Sequence, residues 1–150
     1  MLVRKLRTYK SLGRDRRRLL REAAMTLAWV RLWLAVTPFQ KAARTLGQVS
    51  SASEPDAAGE EAVALDQARD VGWAVRLAAD RVPFKAVCLQ QAVAGKLMLR
   101  RRGIVGVIHF GVSVTTPTEK LKAHAWLDAG PARLTGYPVP PEYTEVARFR

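Results

Sequence analysis

The hydrophobic pattern of this chain changes its period once, at Gly103, and that change constrains the fold more than any other feature. Before Gly103, apolar residues recur at a spacing of three and four, which predicts helices. The predicted helices cover residues 14–46, with an end or kink at Thr37-Pro38, and then 60–81 and 86–102. After Gly103, β-branched and alternating residues predict strands. The predicted strands cover residues 104–114, 122–128, 133–135 and 144–149. Helices first and a small antiparallel sheet afterwards indicate an α+β fold.

Charge and composition divide the chain into three parts. Lys and Arg number 25 against 13 acidic residues, which gives a formal net charge of +12. The basic residues concentrate in residues 1–21, at the start of a basic helical N-terminal region over residues 1–46. Residues 47–59 are rich in Ser, Ala and Gly and are predicted to be a linker, and residues 60–150 to be one domain. A charge of this size favours nucleic acid, an anionic membrane or an acidic partner.

Nucleic acid is the least favoured of these partners, because the aromatic residues are not interleaved with the basic ones and no zinc-finger or RNA-binding signature occurs. The apolar run 23–36 contains Arg31 and is shorter than the ~20 residues that span a bilayer, so no transmembrane helix is predicted. A basic helix with Trp29 and Trp33 is instead suited to peripheral contact with a membrane surface. No secretory signal is evident, and we expect a cytoplasmic protein, with membrane association through this helix as a second option.

The single cysteine, Cys88, stands near the start of the predicted helix 86–102, and the two histidines, His109 and His124, follow it. The partial positive charge at a helix start stabilises a thiolate. A nearby imidazole can protonate the leaving group of an acyl transfer. One cysteine cannot form an internal disulfide or a thiolate-rich zinc site, and the histidines lack metal-ligand spacing. We therefore predict no metal and no cofactor, and the leading hypothesis is a cysteine nucleophile.

His124 is the better candidate of the two histidines. It stands between two alanines, which leave room for a nucleophile, and Trp126 follows on the same face of the predicted strand. His109 lies in the middle of an apolar strand and is interpreted as a core or sheet-face histidine. The competing interpretation of Cys88 is that it is a small buried hydrophobic residue, as most free cysteines are.

Five short segments occur in a fairly specific order. They are Val82-Pro83-Phe84, Cys88-Leu89, Arg100-Arg101-Arg102-Gly103-Ile104, His109-Phe110-Gly111-Val112 and Ala123-His124-Ala125-Trp126. This order resembles the transglutaminase-like peptidases of lasso-peptide biosynthesis, above all stand-alone versions of the peptidase half of their B protein. The resemblance is strongest over residues 60–150. It implies a transglutaminase/papain-like cysteine protease fold, with Cys88 as the nucleophile and His124 as the general base and acid.

The resemblance also implies a function. Such a peptidase removes the leader from a ribosomally made precursor peptide, so that a partner cyclase can close the macrolactam. The implied partners are therefore the precursor peptide, a separate leader-recognition protein and the lasso cyclase.

The third catalytic residue of the family, an acid about a dozen positions after the histidine, has no counterpart here, because that position falls near Gly136. Asp128 is the nearest acid, but four residues along a strand span ~13 Å, which is too far for a hydrogen bond to His124. A hairpin at Gly130-Pro131 would instead bring residues 135–137 beside the ring. We therefore expect the hydroxyl of Thr135 or a backbone carbonyl to orient His124.

Two alternatives stay open at this point. The first is a non-catalytic basic module that binds an acidic peptide, a nucleic acid or a membrane surface. The second keeps the cysteine and histidine but transfers the acyl group to an amine in place of water.

Overall fold

The computed structural model describes residues 13–38, 41, 44, 49–50, 62–113 and 121–150. The long helices are α1 (Arg14–Val36), α2 (Ala62–Ala79) and α3 (Cys88–Arg100). The strands are β1 (Val49–Ser50), β2 (Val107–Ser113), β3 (Lys122–Ala129), β4 (Ala132–Thr135) and β5 (Thr144–Phe149). Within these ranges the fold is α+β, with helices followed by a small antiparallel sheet, as the sequence predicts.

The strands form one sheet in the order β1-β5-β2-β3-β4, and every neighbouring pair is antiparallel. The pairing of β2 with β3 places Gly111 opposite His124. The two-residue strand β1 lies inside the predicted linker 47–59 and pairs with the end of β5. The rest of that linker and both of its boundaries lie outside the described residues, so the domain division stays a prediction.

Helices α2 and α3 pack against the sheet, and α1 packs on both of them. The largest buried side chains of all three helices and the sheet form one core, which contains Leu27, Val30, Val71, Val75, Val93, Met98, Leu99, Ile108, Leu127 and Leu134. Gly95 brings α3 close to β3, because a Cβ at this position would lie 2.5 Å from Cδ2 of Leu127. This close approach helps to fix α3, and with it Cys88, against the sheet.

Helix α1 is part of the same core and ends before Pro38, as the Thr37-Pro38 pair predicts. Its Glu22 accepts two hydrogen bonds from Arg102, at 3.1 and 2.7 Å, and one from Arg101 at 3.2 Å. The bonds from Arg102 in particular hold the pKa of Glu22 below its usual value. The arginines at the end of α3 thus attach α1 to the helix that begins at Cys88. In the described part of the chain, no helix has the length and apolar content needed to cross a membrane.

Lys96 joins α3 to the sheet. Its ammonium donates to the backbone carbonyl oxygens of Gly106 at 2.7 Å and Phe149 at 3.0 Å. Burial, with smaller contributions from Arg100 and Arg150, lowers the pKa of Lys96 to about 8. In the unfolded chain a lysine keeps its proton up to about pH 10.4. Between these two values the unfolded state binds more protons, so the contribution of Lys96 to stability rises with pH.

As the pH rises from about 7.5 to about 10, we therefore expect the free energy of unfolding of the wild type to increase relative to that of Lys96→Met. The change should not exceed about 1.4 kcal/mol per pH unit, the limit for one proton. Urea unfolding followed by circular dichroism at several pH values measures it. Lys85→Met, at an exposed lysine ahead of α3, controls for the loss of one charge. Parallel pH dependences of the wild type and Lys96→Met would contradict the expectation.

Candidate active site

A pocket of about 360 Å³ lies between the start of α3 and the sheet. Cys88 and His124 both line it. The other lining residues are mostly apolar and include Leu89, Phe110, Val112, Val146, Ala147 and Phe149. The two residues that the sequence selects for catalysis therefore border the same cavity, although they lie 36 positions apart in the chain.

Cys88 is the first residue of α3 and is half-buried. The residue before it, Val87, has no side-chain acceptor, and the first backbone bond of the helix runs from the N–H of Gln91 to the carbonyl of Val87 at 3.1 Å. The N–H groups of residues 88–90 consequently have no acceptor within the helix. This helix start can stabilise negative charge on a thiolate or on an oxyanion.

The imidazole of His124 is held by a main-chain oxygen. Its Nε2 lies 2.7 Å from the carbonyl oxygen of Gly136. A carbonyl can only accept a hydrogen bond, so Nε2 carries the proton in the neutral ring and Nδ1 keeps its lone pair. The geometry thus fixes one tautomer and leaves Nδ1 as the basic nitrogen.

Gly136 can take this position because it has no side chain. It follows β4 with φ of +81°, a conformation that favours glycine. A Cβ at residue 136 would lie 2.4 Å from the carbonyl oxygen of Ala125 and 2.8 Å from Cα of Trp126. The backbone at Gly136 therefore lies directly against that of β3, and its carbonyl reaches the ring of His124, twelve residues earlier.

The two side chains considered as orienting groups do not bond to this ring. Thr135 is fully buried, and its hydroxyl oxygen has no hydrogen-bond partner among the described residues. Asp128 accepts a hydrogen bond from Tyr137 at 2.6 Å and lies 3.3 Å from Nε2 of His109. The hairpin does bring residues 135–137 to the ring, but the group that bonds to it is the carbonyl of Gly136.

Aromatic rings surround His124. Trp126, only 8% exposed, stacks beside it with ring centroids 6.0 Å apart, and the ring of Tyr143 is 5.3 Å away. Gly111 makes room for the indole, since a Cβ there would lie 2.9 Å from Trp126. Trp126 thus lies on the same face of β3 as His124, as the alternation in the sequence predicts.

The sequence does not reveal the partners of His109. It is buried on the same sheet face as Trp126, parallel to the indole at 5.5 Å. Its Nδ1 lies 2.9 Å from Glu145, and Asp128 faces its other nitrogen. Burial acts against protonation, but the two carboxylates outweigh it and raise the pKa of His109 above its ordinary value. The interpretation as a sheet-face histidine agrees with its location, whereas its two carboxylate neighbours follow only from strand register.

The thiol and the imidazole border the pocket from different sides of the sheet. Ala125 and Leu127 belong to the core beneath the helices, and alternation turns His124 and Trp126 to the other face. No hydrogen bond joins Cys88 to His124 within the described part of the chain. Both residues nevertheless line the pocket near the start of β3.

Comparison with protein families matches residues 33–148 to the transglutaminase-like superfamily. The match begins inside α1 and extends through almost all of β5, and it includes both Cys88 and His124. Neither the curated proteins nor the solved structures contain a significant match to this chain.

Proposed function

Because this chain belongs to the transglutaminase-like superfamily, we propose that it is a cysteine peptidase that removes the leader from a ribosomally synthesised lasso precursor peptide. The main support is one observation: Cys88, at a helix start, and His124, with its tautomer fixed by Gly136, line a single pocket. The superfamily includes cysteine peptidases and acyltransferases, and this pair of residues suits both reactions.

The proposed chemistry assigns one role to each group. The mechanism requires substrate binding to bring together the thiol of Cys88 and the imidazole of His124, which lie on different sides of the sheet in the free chain. The thiol then gives its proton to Nδ1 of His124, and its sulfur attacks the carbonyl carbon of the scissile bond. Backbone N–H groups at the start of α3 stabilise the oxyanion. The imidazolium of His124 then protonates the leaving amine, and the C–N bond breaks. Water, activated by the same ring, hydrolyses the thioester and restores the thiol.

The residues that line the pocket determine which substrate residues fit it. Among the described residues that line it, none is Asp, Glu, Lys or Arg, and the apolar residues Phe110, Val146 and Phe149 line the same pocket as Cys88. We expect the residues next to the scissile bond to be apolar or uncharged, because an unpaired charge would lose its hydration there. A leader-recognition protein would hold the rest of the precursor, and a lasso cyclase would take the product.

A second candidate function rests on the missing bond between Cys88 and His124 in the described structure. If the thiol takes no part in chemistry, the chain is a non-catalytic module that uses its basic surface to bind an acidic peptide, a nucleic acid or a membrane. Both candidates predict that the chain binds a partner, but only the peptidase changes it covalently.

The test mixes the purified chain with lasso precursor peptides and their leader-recognition proteins and follows the peptides by mass spectrometry. We expect cleavage into leader and core by the wild type and a loss of at least a thousandfold in Cys88→Ala. Added hydroxylamine reports on transfer to an amine, because the leader then carries a hydroxamate. Circular dichroism checks that Cys88→Ala is folded. Cleavage by folded Cys88→Ala would refute the thiol mechanism, and binding without cleavage by the wild type would favour the non-catalytic module.

A further inference from the structure

One exposed face of α1 carries a line of seven residues, here called the α1 stripe. Its members are Arg14, Arg18, Arg21, Met25, Trp29, Leu32 and Val36. At 3.6 residues per turn these positions fall within about 80° of the helix circumference. The apolar members are unusually exposed, at 67% for Met25, 53% for Trp29, 68% for Leu32 and 82% for Val36. The buried face of the same helix, with Leu20, Ala23, Leu27 and Val30, points into the core.

The stripe is divided along its length. Its first half is cationic, and its second half, from Met25 to Val36, is apolar over a length of about 16 Å, which is eleven rises of 1.5 Å. The acids of α1 lie off the stripe: Asp15 is on another side of the helix, and Glu22 is bound to Arg101 and Arg102. Trp33, half-buried beside the stripe, stacks on Trp29 with ring centroids 5.7 Å apart.

We propose that the α1 stripe docks on an anionic membrane surface. A helix that carries exposed Trp, Leu and Met beside arginines has the composition of interfacial helices. With α1 tilted, Leu32 and Val36 enter the acyl boundary, Trp29 lies at headgroup level, and the arginines contact lipid phosphates. The depth of about 5–10 Å that such helices reach is within the length of the apolar half. The formal net charge of +12 adds long-range attraction to the same surface.

A second copy of this chain fits the stripe poorly. In a parallel pair the arginines of one α1 would face those of the other. In an antiparallel pair Arg14, Arg18 and Arg21 would face Val36, Leu32 and Trp29, and their charge would lose its hydration without a partner. A helix from another protein would need acidic residues opposite the arginines. No side chain of the stripe accepts a hydrogen bond, so nothing in the stripe would fix how such a helix is aligned along it. The lipids of a fluid anionic membrane can rearrange around the stripe, so the membrane does not need residues aligned with those of the stripe.

The test is co-sedimentation of the full chain with vesicles of phosphatidylcholine containing about 30% phosphatidylglycerol, against vesicles of phosphatidylcholine alone. We expect binding to the anionic vesicles, weakened by salt as charge screening requires. Leu32→Gln should lower the partition coefficient about tenfold, the loss of one buried leucine. The matched control is Leu121→Gln, at a leucine with 64% exposure that lies far from the stripe in the sequence. This control should bind like the wild type.

A second pair of variants tests the charged half. Arg18→Gln with Arg21→Gln should weaken binding by tenfold or more, since each arginine near an anionic surface is attracted to the lipid phosphates. Arg69→Gln with Arg133→Gln removes the same charge elsewhere and should have a smaller effect. Equal losses in both pairs would show that net charge alone drives binding and would overturn the assignment to the stripe. No binding to anionic vesicles would also overturn it and leave the stripe to a protein partner.

Discussion

Replacing His124 by alanine is expected to slow acyl transfer at Cys88 at least a hundredfold near neutral pH, because a positioned general acid and base contributes about 10²–10⁴-fold. The same variant should change the pH dependence of Cys88 alkylation by iodoacetamide, which needs no substrate. Since the chain has one cysteine, the mass increase on alkylation reports on Cys88 alone. Rates measured from about pH 5 to about pH 10 for the wild type and His124→Ala give the comparison.

His109→Gln is the matched control for this experiment. It removes the other histidine, which lies on the same sheet face but is paired with Asp128 and Glu145. We expect His109→Gln to keep the alkylation profile of the wild type, although it should be less stable because Asp128 and Glu145 each lose their contact with the imidazole. If His124→Ala also kept the wild-type profile, Cys88 would be a packing residue, and the non-catalytic module would be the better account.

Gly136→Ala is expected to have the second large effect, on stability and on reactivity together. Alanine at a φ of +81° is strained, and its Cβ would lie 2.4 Å from the carbonyl oxygen of Ala125. The chain must shift, so we expect a loss of at least about 2 kcal/mol in the free energy of unfolding. The shift also moves the carbonyl that holds Nε2 of His124, and acyl transfer should fall at least tenfold. Thermal unfolding and the alkylation assay measure the two effects.

Two other glycines separate backbone strain from the loss of this bond. Gly103 and Gly130 also have positive φ, but a Cβ at Gly103 meets nothing within 4 Å and one at Gly130 lies 3.7 Å from Leu65. Gly103→Ala and Gly130→Ala should therefore cost about 1–2 kcal/mol each and keep the alkylation profile of the wild type. Reactivity lost to the same extent in all three variants would mean that the bond to His124 has no particular role.

Local pattern predicted the three long helices and strands β2 to β5 because each has a buried face with a clear period, whereas β1 lies in the predicted linker 47–59. The alternation around His124 correctly separated Ala125 and Leu127, which are in the core, from Trp126 on the other face. The turn at Gly130-Pro131 predicted that the chain returns to the ring. It could not choose between the hydroxyl of Thr135 and a backbone carbonyl, because that choice depends on the course of the chain at Gly136.

Other features depend on long-range register, which a single sequence does not contain. Glu145 reaches His109 through the pairing of β2 with β5, and this pairing is shifted by an irregularity at Phe110 and Gly111. The sequence predicted that this helix could contact a membrane, but it did not identify which residues form the exposed α1 stripe. Helix α1 is apolar on two sides, and periodicity identifies the residues at helical spacing without showing which side the core covers.

The group that orients His124 is a main-chain oxygen. The place of a third catalytic residue is therefore taken by the backbone conformation at Gly136 and not by a polar side chain. A saturation mutagenesis scan would record it as a requirement for glycine, and a search for a third polar side chain would pass over it. Gly136→Asp would not rebuild a triad, since its Cβ would meet the same carbonyl of Ala125. To change the hydrogen bond that His124 donates to this segment, a designer would have to change the length or the conformation of the loop after β4. Residue 136 itself would have to stay glycine.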